Sequence, residues 1–324
     1  MEFIKPKIEL YKTRTFSEKL TDTFDFLRET WKPMLKYFIY LMLPCSIVLG
    51  FFMNHFYSGY MNFILAAERI GGVADNAELV KMLIFMGLTF VIYLIVYSLL
   101  LALVFAIVRL YRQRDDRLKL LTADELKPEL MYYFRRVCVL MLVSMGIGIV
   151  AVLVIGGLIV LMSMLHIAVG IITALLLGIC LIAITLPLML VTPIYMIEDN
   201  ITVIGAFQKA FHLGFPTWGG IFAVSFVIGI IASVIETVTM GPWYVLYIIK
   251  MVFTLSNDLD GSFVNSFLYT FAEYITCVLQ CLGMLIASVI SVVGLTIQYG
   301  HAADKIDGVG VAQKIEKFDE LDKF

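Results

Sequence analysis

Apolar residues in this chain fall in long uninterrupted blocks, and short polar segments separate them. No side chain is charged between Arg136 and Glu198, and residues 37–67, 82–108, 210–235 and 274–303 are equally free of charge. A helix needs about 20 apolar residues to cross the hydrocarbon core of a bilayer. Each shorter block therefore holds one crossing, and the longest holds two joined by a tight turn. The pattern predicts an all-α, polytopic helical membrane protein with six transmembrane helices arranged as three hairpins. The spans fall at about 34–56, 79–109, 137–162, 168–197, 218–238 and 271–299.

The polar segments carry a second periodicity. Phe16, Leu20, Phe24, Leu27 and Trp31 form one apolar stripe at helical spacing. Ser17, Glu18, Lys19, Asp22, Asp25, Arg28 and Glu29 occupy the other face, and Thr15 with Glu18 makes a capping box. Thr122 and Glu125 repeat the box before the second hairpin, where Pro128 is expected to kink the helix or delay its start. Before the third hairpin, Asn200 is the expected cap of a helix carrying Ile204, Phe207 and Phe211, ended by Gly214 and Pro216. These three amphipathic juxtamembrane segments are expected either to lie in the inner membrane interface or to pack on the cytoplasmic ends of the bundle. Trp243–Ser256 is too short to cross and reads as an interfacial or re-entrant helix.

Composition agrees with this class. Mean hydropathy is +0.93 and only 15 % of residues are charged, against about 25 % in soluble domains. The distribution of charge adds orientation. Of 24 Lys and Arg, 21 fall in the N-terminal segment, the 109–136 loop, the loop at Lys209 and the C-terminal tail. The positive-inside rule makes that side cytoplasmic, with both termini inside. The expected layout is a cytoplasmic tail with an amphipathic helix over 1–33, a six-span domain over 34–299 and a cytoplasmic tail over 300–324. The first 36 residues are basic and hold no short apolar core followed by a cleavage site, so no cleavable signal peptide is expected.

Small residues recur at helical spacing inside the spans: Ser144, Gly148 and Gly156; Gly170, Ala174 and Gly178; Ser225, Gly229 and Ser233; Gly283, Ala287 and Ser291. Such stripes permit close helix contact in lipid and are expected to face other helices. Pro44, Pro187 and Pro193 each free a carbonyl inside a span, and Thr185 and Thr192 are placed to satisfy those near span 4.

Candidate chemistry is sparse. Ionisable residues deep in a span are the usual mark of function in membrane proteins, and here they sit at span ends. No nucleophile elbow, phosphate loop or zinc-protease motif is present. No catalytic, cofactor-binding or metal-binding residue is assigned, and no cofactor is expected. The five cysteines have no metal spacing, and Cys277 and Cys281 share one helix face as packing residues. The four histidines sit at span ends, as solvated interface residues do. The basic 109–119 run, which includes Asp115 and Asp116, reads as an ordinary positive-inside loop rather than a lipid-binding patch. Three groups of residues merit attention. Phe16, Leu20, Phe24 and Trp31 form a candidate interface. Thr185, Thr192, Gln280 and Gln298 form a candidate cavity. Glu198, Asp199 and His212 form a candidate polar cluster in an inner loop.

Two stretches carry a resemblance. One runs from Pro193 through Glu198 and Ile201-Thr-Val-Ile-Gly-Ala-Phe-Gln-Lys-Ala-Phe-His-Leu-Gly to Trp218. The other is Gln298-Tyr299 followed by Asp304-Lys-Ile-Asp-Gly308. Both resemble the membrane domain fused to some bacterial glycerophosphoryl diester phosphodiesterases, and related six-span proteins. The likeness covers about a fifth of the chain. It implies a bacterial inner-membrane protein without catalysis of its own, since the metal-binding barrel of the fused enzymes has no counterpart here. The leading expectation is a partner-binding or membrane-organising module. It would contact the lipid bilayer and another membrane or cytoplasmic protein, but not nucleic acid. A transporter or lipid-handling protein is the alternative, and a lipid-modifying enzyme built on Glu198, Asp199 and His212 is a third reading.

Overall fold

The computed structural model describes residues 7–69, 76–114, 116–118, 120–255, 262–312 and 315. Asp115, Lys119, Ser256 and the last nine residues of the C-terminal tail lie outside that set. The described residues form eight helices and no strand: α1 (Phe16–Arg69), α2 (Asn76–Gln113), α3 (Ala123–Leu165), α4 (Ile167–Leu188), α5 (Val191–Ile197), α6 (Val203–Gly214), α7 (Trp218–Leu255) and α8 (Phe267–Asp307). Six stretches are long and apolar enough to cross a membrane: α1, α2, α3, α4 with α5, α7 and α8. The protein is therefore a multi-pass helical membrane protein.

Several helices ignore the boundaries expected of them. α1 runs unbroken from the amphipathic segment into the first span, through Pro33 and Pro44. α3 starts at Ala123 and continues through Pro128, so that proline does not delay it. The Thr15–Glu18 and Thr122–Glu125 pairs both form, with backbone N–H to carboxylate distances of 2.7 and 3.2 Å. The third cap differs: α6 begins after Thr202, whose hydroxyl accepts from Gly205 N–H at 3.1 Å, rather than after Asn200. Trp243–Ser256 is neither a separate interfacial nor a re-entrant helix. Trp243 through Leu255 is the last third of α7, which continues past Pro242. Trp243 is buried against the ring of Tyr57, with centroids 4.3 Å apart.

Span 4 breaks where the prolines predict trouble, at Met189 and Leu190 between α4 and α5. Pro187 has no N–H for the carbonyl of Ala183, four residues earlier. The donor that replaces it comes from another helix: Trp218 Nε1 donates to Ala183 O at 3.1 Å. Thr185, expected to serve here, instead donates to Leu181 O on its own helix at 2.7 Å. Trp218→Phe would keep an aromatic ring, though a smaller one, and remove that donor. It should cost about 1–2 kcal/mol, read as a lower denaturation midpoint in detergent, while Thr185→Val should have little effect.

The chain folds as two compact units. Unit 1 comprises residues 1–31, 104–228 and 291–324. Phe105, Ile107, Tyr111, Ile194, Met196 and Tyr299 are fully buried in it. Its N-terminal segment is strapped down. Lys7 Nζ donates to the carbonyls of Arg112 and Arg114 at the end of α2, at 2.9 and 3.0 Å. Arg14 donates through its guanidinium to the carbonyls of Glu9, Leu10 and Lys12 and to Asp22, and through its backbone N–H to His301 Nδ1 at 2.9 Å. His301 is thus buried and accepting, which corrects its reading as a solvated span-end residue.

Unit 2 comprises residues 32–103 and 229–290, with Met42, Leu49, Leu100 and Leu103 fully buried. Gly50 packs on Val278, Cys277 and Cys281 are buried thiols, and Cys281 Sγ lies 3.7 Å from Met53 Sδ. A buried ion pair joins Lys250 and Glu273 at 2.7 Å.

The small-residue stripes divide. Gly170 abuts Ser163 and Gly283 abuts Thr239, as close helix contacts require. A Cβ at Gly148, Gly156, Gly178 or Gly229 would meet no atom of the described residues within 4 Å, so no close helix contact is made there among them. The α3–α4 hairpin explains most of this, because only 6 % of each helix's apolar window is buried.

Candidate functional site

Unit 1 collects nearly all the polar chemistry of the described residues. The amphipathic start of α1 is oriented opposite to the soluble-protein rule. Its apolar stripe points outward, with Phe16 44 %, Phe24 39 % and Trp31 53 % exposed and Leu20 half-buried. The side that carries Lys19, Thr23, Phe26 and Thr30 is buried, while Ser17, Glu18 and Arg28 of the polar face stay exposed. In a bilayer protein the exterior is apolar, so polar side chains are the ones turned into the bundle.

The loop between α5 and α6 is fixed by an ion-pair lattice. Arg136 of α3 donates to the carbonyls of Tyr195, Glu198 and Asp199 and lies over the Tyr195 ring, 4.5 Å from its centroid. These are the orphan carbonyls at the end of α5, which need an outside donor. Asp199 accepts from Arg109 at 3.1 Å and Tyr132 at 3.0 Å. Glu198 accepts from the Tyr299 hydroxyl at 2.6 Å and Lys209 at 2.8 Å. His212 meets Asp307 at 3.2 Å, and Lys209 reaches the same carboxylate at 3.5 Å. Burial works against the Lys209 ammonium, but the Glu198 hydrogen bond and the charges of Glu198 and Asp307 outweigh it and hold its pKa above the ordinary value.

Glu198, Asp199 and His212 therefore do not form one cluster. Each has its own partners, and Lys209 is what links the first to the Asp307–His212 pair. The lattice holds carboxylates, cations and tyrosines but no serine or cysteine nucleophile among its described members. The basic loop is spent in the same way. Arg109 pairs also with Glu129 at 3.4 Å, Arg114 with Asp116 and Glu125 at 2.6 and 2.7 Å, and Arg117 with Glu29 at 3.0 Å. The guanidinium of Arg114 holds the Asp116 carboxyl below the usual carboxylate range.

The candidate cavity residues have different surroundings. Thr185 is exposed, Thr192 half-buried and Gln298 fully buried, all in unit 1, while Gln280 belongs to unit 2. None of them lines the small apolar cleft in unit 1, which is bounded by Leu10, Phe26, Tyr111, Val293 and Ile297 among others. No group of three His, Cys, Asp or Glu among the described residues is placed to hold a metal ion.

The residue that sequence reasoning passed over is Lys19. In the sequence it is one of several polar-face charges, yet it is 5 % exposed, and its ammonium has no ion-pair or hydrogen-bond partner among the described residues. A Cβ built on Gly220, in the first turn of α7, would stand 3.2 Å from Lys19 Nζ and 3.3 Å from Gln298 Nε2. Both polar atoms of Gln298 are buried without a partner. Only the absence of a matching carboxylate could have flagged this lysine, and that needs the fold.

These features define the class: a six-crossing helical membrane protein with an electrostatically braced polar end. No family model, curated protein or solved structure matches the chain.

Proposed function

We propose that this is a non-catalytic integral membrane protein that binds another membrane protein, a bacterial inner-membrane module with both termini in the cytoplasm. The observation that carries this reading is the outward apolar stripe Phe16, Phe24 and Trp31 on a helix that is buried along another side through Lys19, Thr23, Phe26 and Thr30. The open glycines of the barely buried α3–α4 hairpin support it, because bare helix faces suit close approach by a partner helix. The ion-pair lattice supports a bracing role for the inner-loop charges, and the basic-residue asymmetry supports the orientation. The resemblance to phosphodiesterase membrane domains points the same way.

A photo-crosslinking residue at Trp31 or Phe24, activated in native membranes, should yield one defined protein adduct. Adducts to lipid alone would sink the partner reading and favour the lipid-handling alternative. A cysteine in the 57–78 segment should react with an impermeant maleimide from outside, and one in the 112–120 loop should not.

A further inference from the structure

Lys19 is only 5 % exposed, and its ammonium has no counter-ion among the described residues. An isolated buried charge is costly and normally acquires a partner or loses its proton. The nearby carboxylates are engaged elsewhere: Asp22 accepts from Arg14, and Asp304 accepts from Thr13 and the Gly310 N–H. The charges whose fields act most on Lys19 are Arg14 and Lys305, both cations. The buried Gln298 amide beside it has neither its donor nor its acceptor satisfied.

Both side chains converge on the first turn of α7. Trp218 N–H is bonded to Phe215 O and Ile221 N–H to Thr217 O, which leaves the amides of Gly219 and Gly220 between them at the positive end of a 38-residue helix. Because residue 220 is glycine, the lysine and the glutamine can approach bare backbone. An ammonium, a buried amide and helix-terminal N–H groups around one point form a binding site for an oxyanion.

The geometry points to a phosphate-binding site made by Lys19, Gln298 and the Gly219–Gly220 turn. The ligand chemistry is a phosphate group with unesterified oxygens, presented either as the monoester headgroup of an anionic lipid or as free inorganic phosphate. The inference is independent of the partner reading, since the site lies on the inward face of α1 and the proposed partner surface on its outward face.

The test uses the full chain in neutral detergent. Titration calorimetry would be run with inorganic phosphate and, separately, with mixed micelles containing dioleoyl phosphatidic acid or dioleoyl phosphatidylcholine. Saturable binding of phosphatidic acid but not of phosphate or phosphatidylcholine identifies a lipid headgroup. Binding of inorganic phosphate itself identifies a free-phosphate site. In either case Lys19→Met and Gly220→Ala should weaken binding at least tenfold. Ser17→Ala, at an exposed position of the same stretch of α1, should bind as the wild type does. If either variant fails to fold, Gln298→Leu, which removes the unpaired buried amide, gives a second reading and should weaken binding of the same probe at least tenfold. Absence of saturation with both phosphate probes, or unchanged binding in folded Lys19→Met and Gly220→Ala proteins, overturns the site.

Discussion

Replacing Lys250 with Met is expected to remove about 3 kcal/mol of stability, among the largest losses available to a single substitution in unit 2. Lys250 Nζ lies 2.7 Å from Glu273 Oε2, and the Glu273 side chain is only 2 % exposed. Breaking a buried pair from one side costs about 3–5 kcal/mol because the surviving charge is left without compensation. The lower end applies, since the lysine side chain is 20 % exposed and water reaches it in part. The mechanism makes a second demand. Removing both charges, as in Lys250→Met with Glu273→Met, should restore most of the loss, because apolar replacements of such pairs are often neutral. Unfolding in mixed detergent would show a strongly lowered midpoint for the single variant and a near wild-type midpoint for the double one. Equal losses in both would mean that the lysine acts through packing alone.

How much of this structure is visible in the chain depends on which physical rule each residue obeys. The crossings were legible because a charge inside hydrocarbon is so costly that its absence over long blocks marks a span. The Thr15–Glu18 and Thr122–Glu125 caps were legible because a capping box is local, needing only four consecutive residues. The failures concern partners distant in sequence. Pro187 announced a freed carbonyl, but the donor came from Trp218 rather than from neighbouring Thr185. Glycine stripes announced where a helix could be approached closely; at Gly170 and Gly283 a neighbour is present, and at Gly148 and Gly178 none is. The amphipathic start of α1 announced two faces. Which face turns inward follows from the solvent outside, and it is the face bearing Lys19 and Thr23. The candidate site was least legible, because its signal is a buried cation and an unsatisfied amide brought together from residues 19 and 298.

Two glycines should respond oppositely to the same substitution, and the larger effect is expected at Gly214. This residue ends α6 and lies against α4. A Cβ there would stand 2.6 Å from Pro187 Cβ and 2.7 Å from Pro187 Cα. The obstruction is a proline ring atom and main chain, not the movable end of a side chain, so α4 and α6 must separate. Overpacking of this kind costs about 1–3 kcal/mol, and the upper value is expected because Ala183, held by Trp218, anchors the same turn of α4. Shortening the obstructing residue should not help, since Pro187→Ala leaves the Cα and Cβ positions occupied; the double variant should be no more stable than Gly214→Ala. At Gly148, by contrast, a methyl meets nothing within 4 Å. The gain in helix propensity there, about 0.5–1 kcal/mol for glycine to alanine in a helix interior, is unopposed within the chain. Denaturation of the purified chain should thus show Gly214→Ala shifted strongly down and Gly148→Ala unchanged or slightly up. In native membranes the second result acquires another meaning. If a partner helix packs against α3 at that glycine, Gly148→Ala should weaken the adduct captured at Trp31 while leaving the isolated chain intact. That separation of stability from association would place the partner on the bare face of the α3–α4 hairpin as well as on the stripe of α1. An unchanged adduct would confine it to α1.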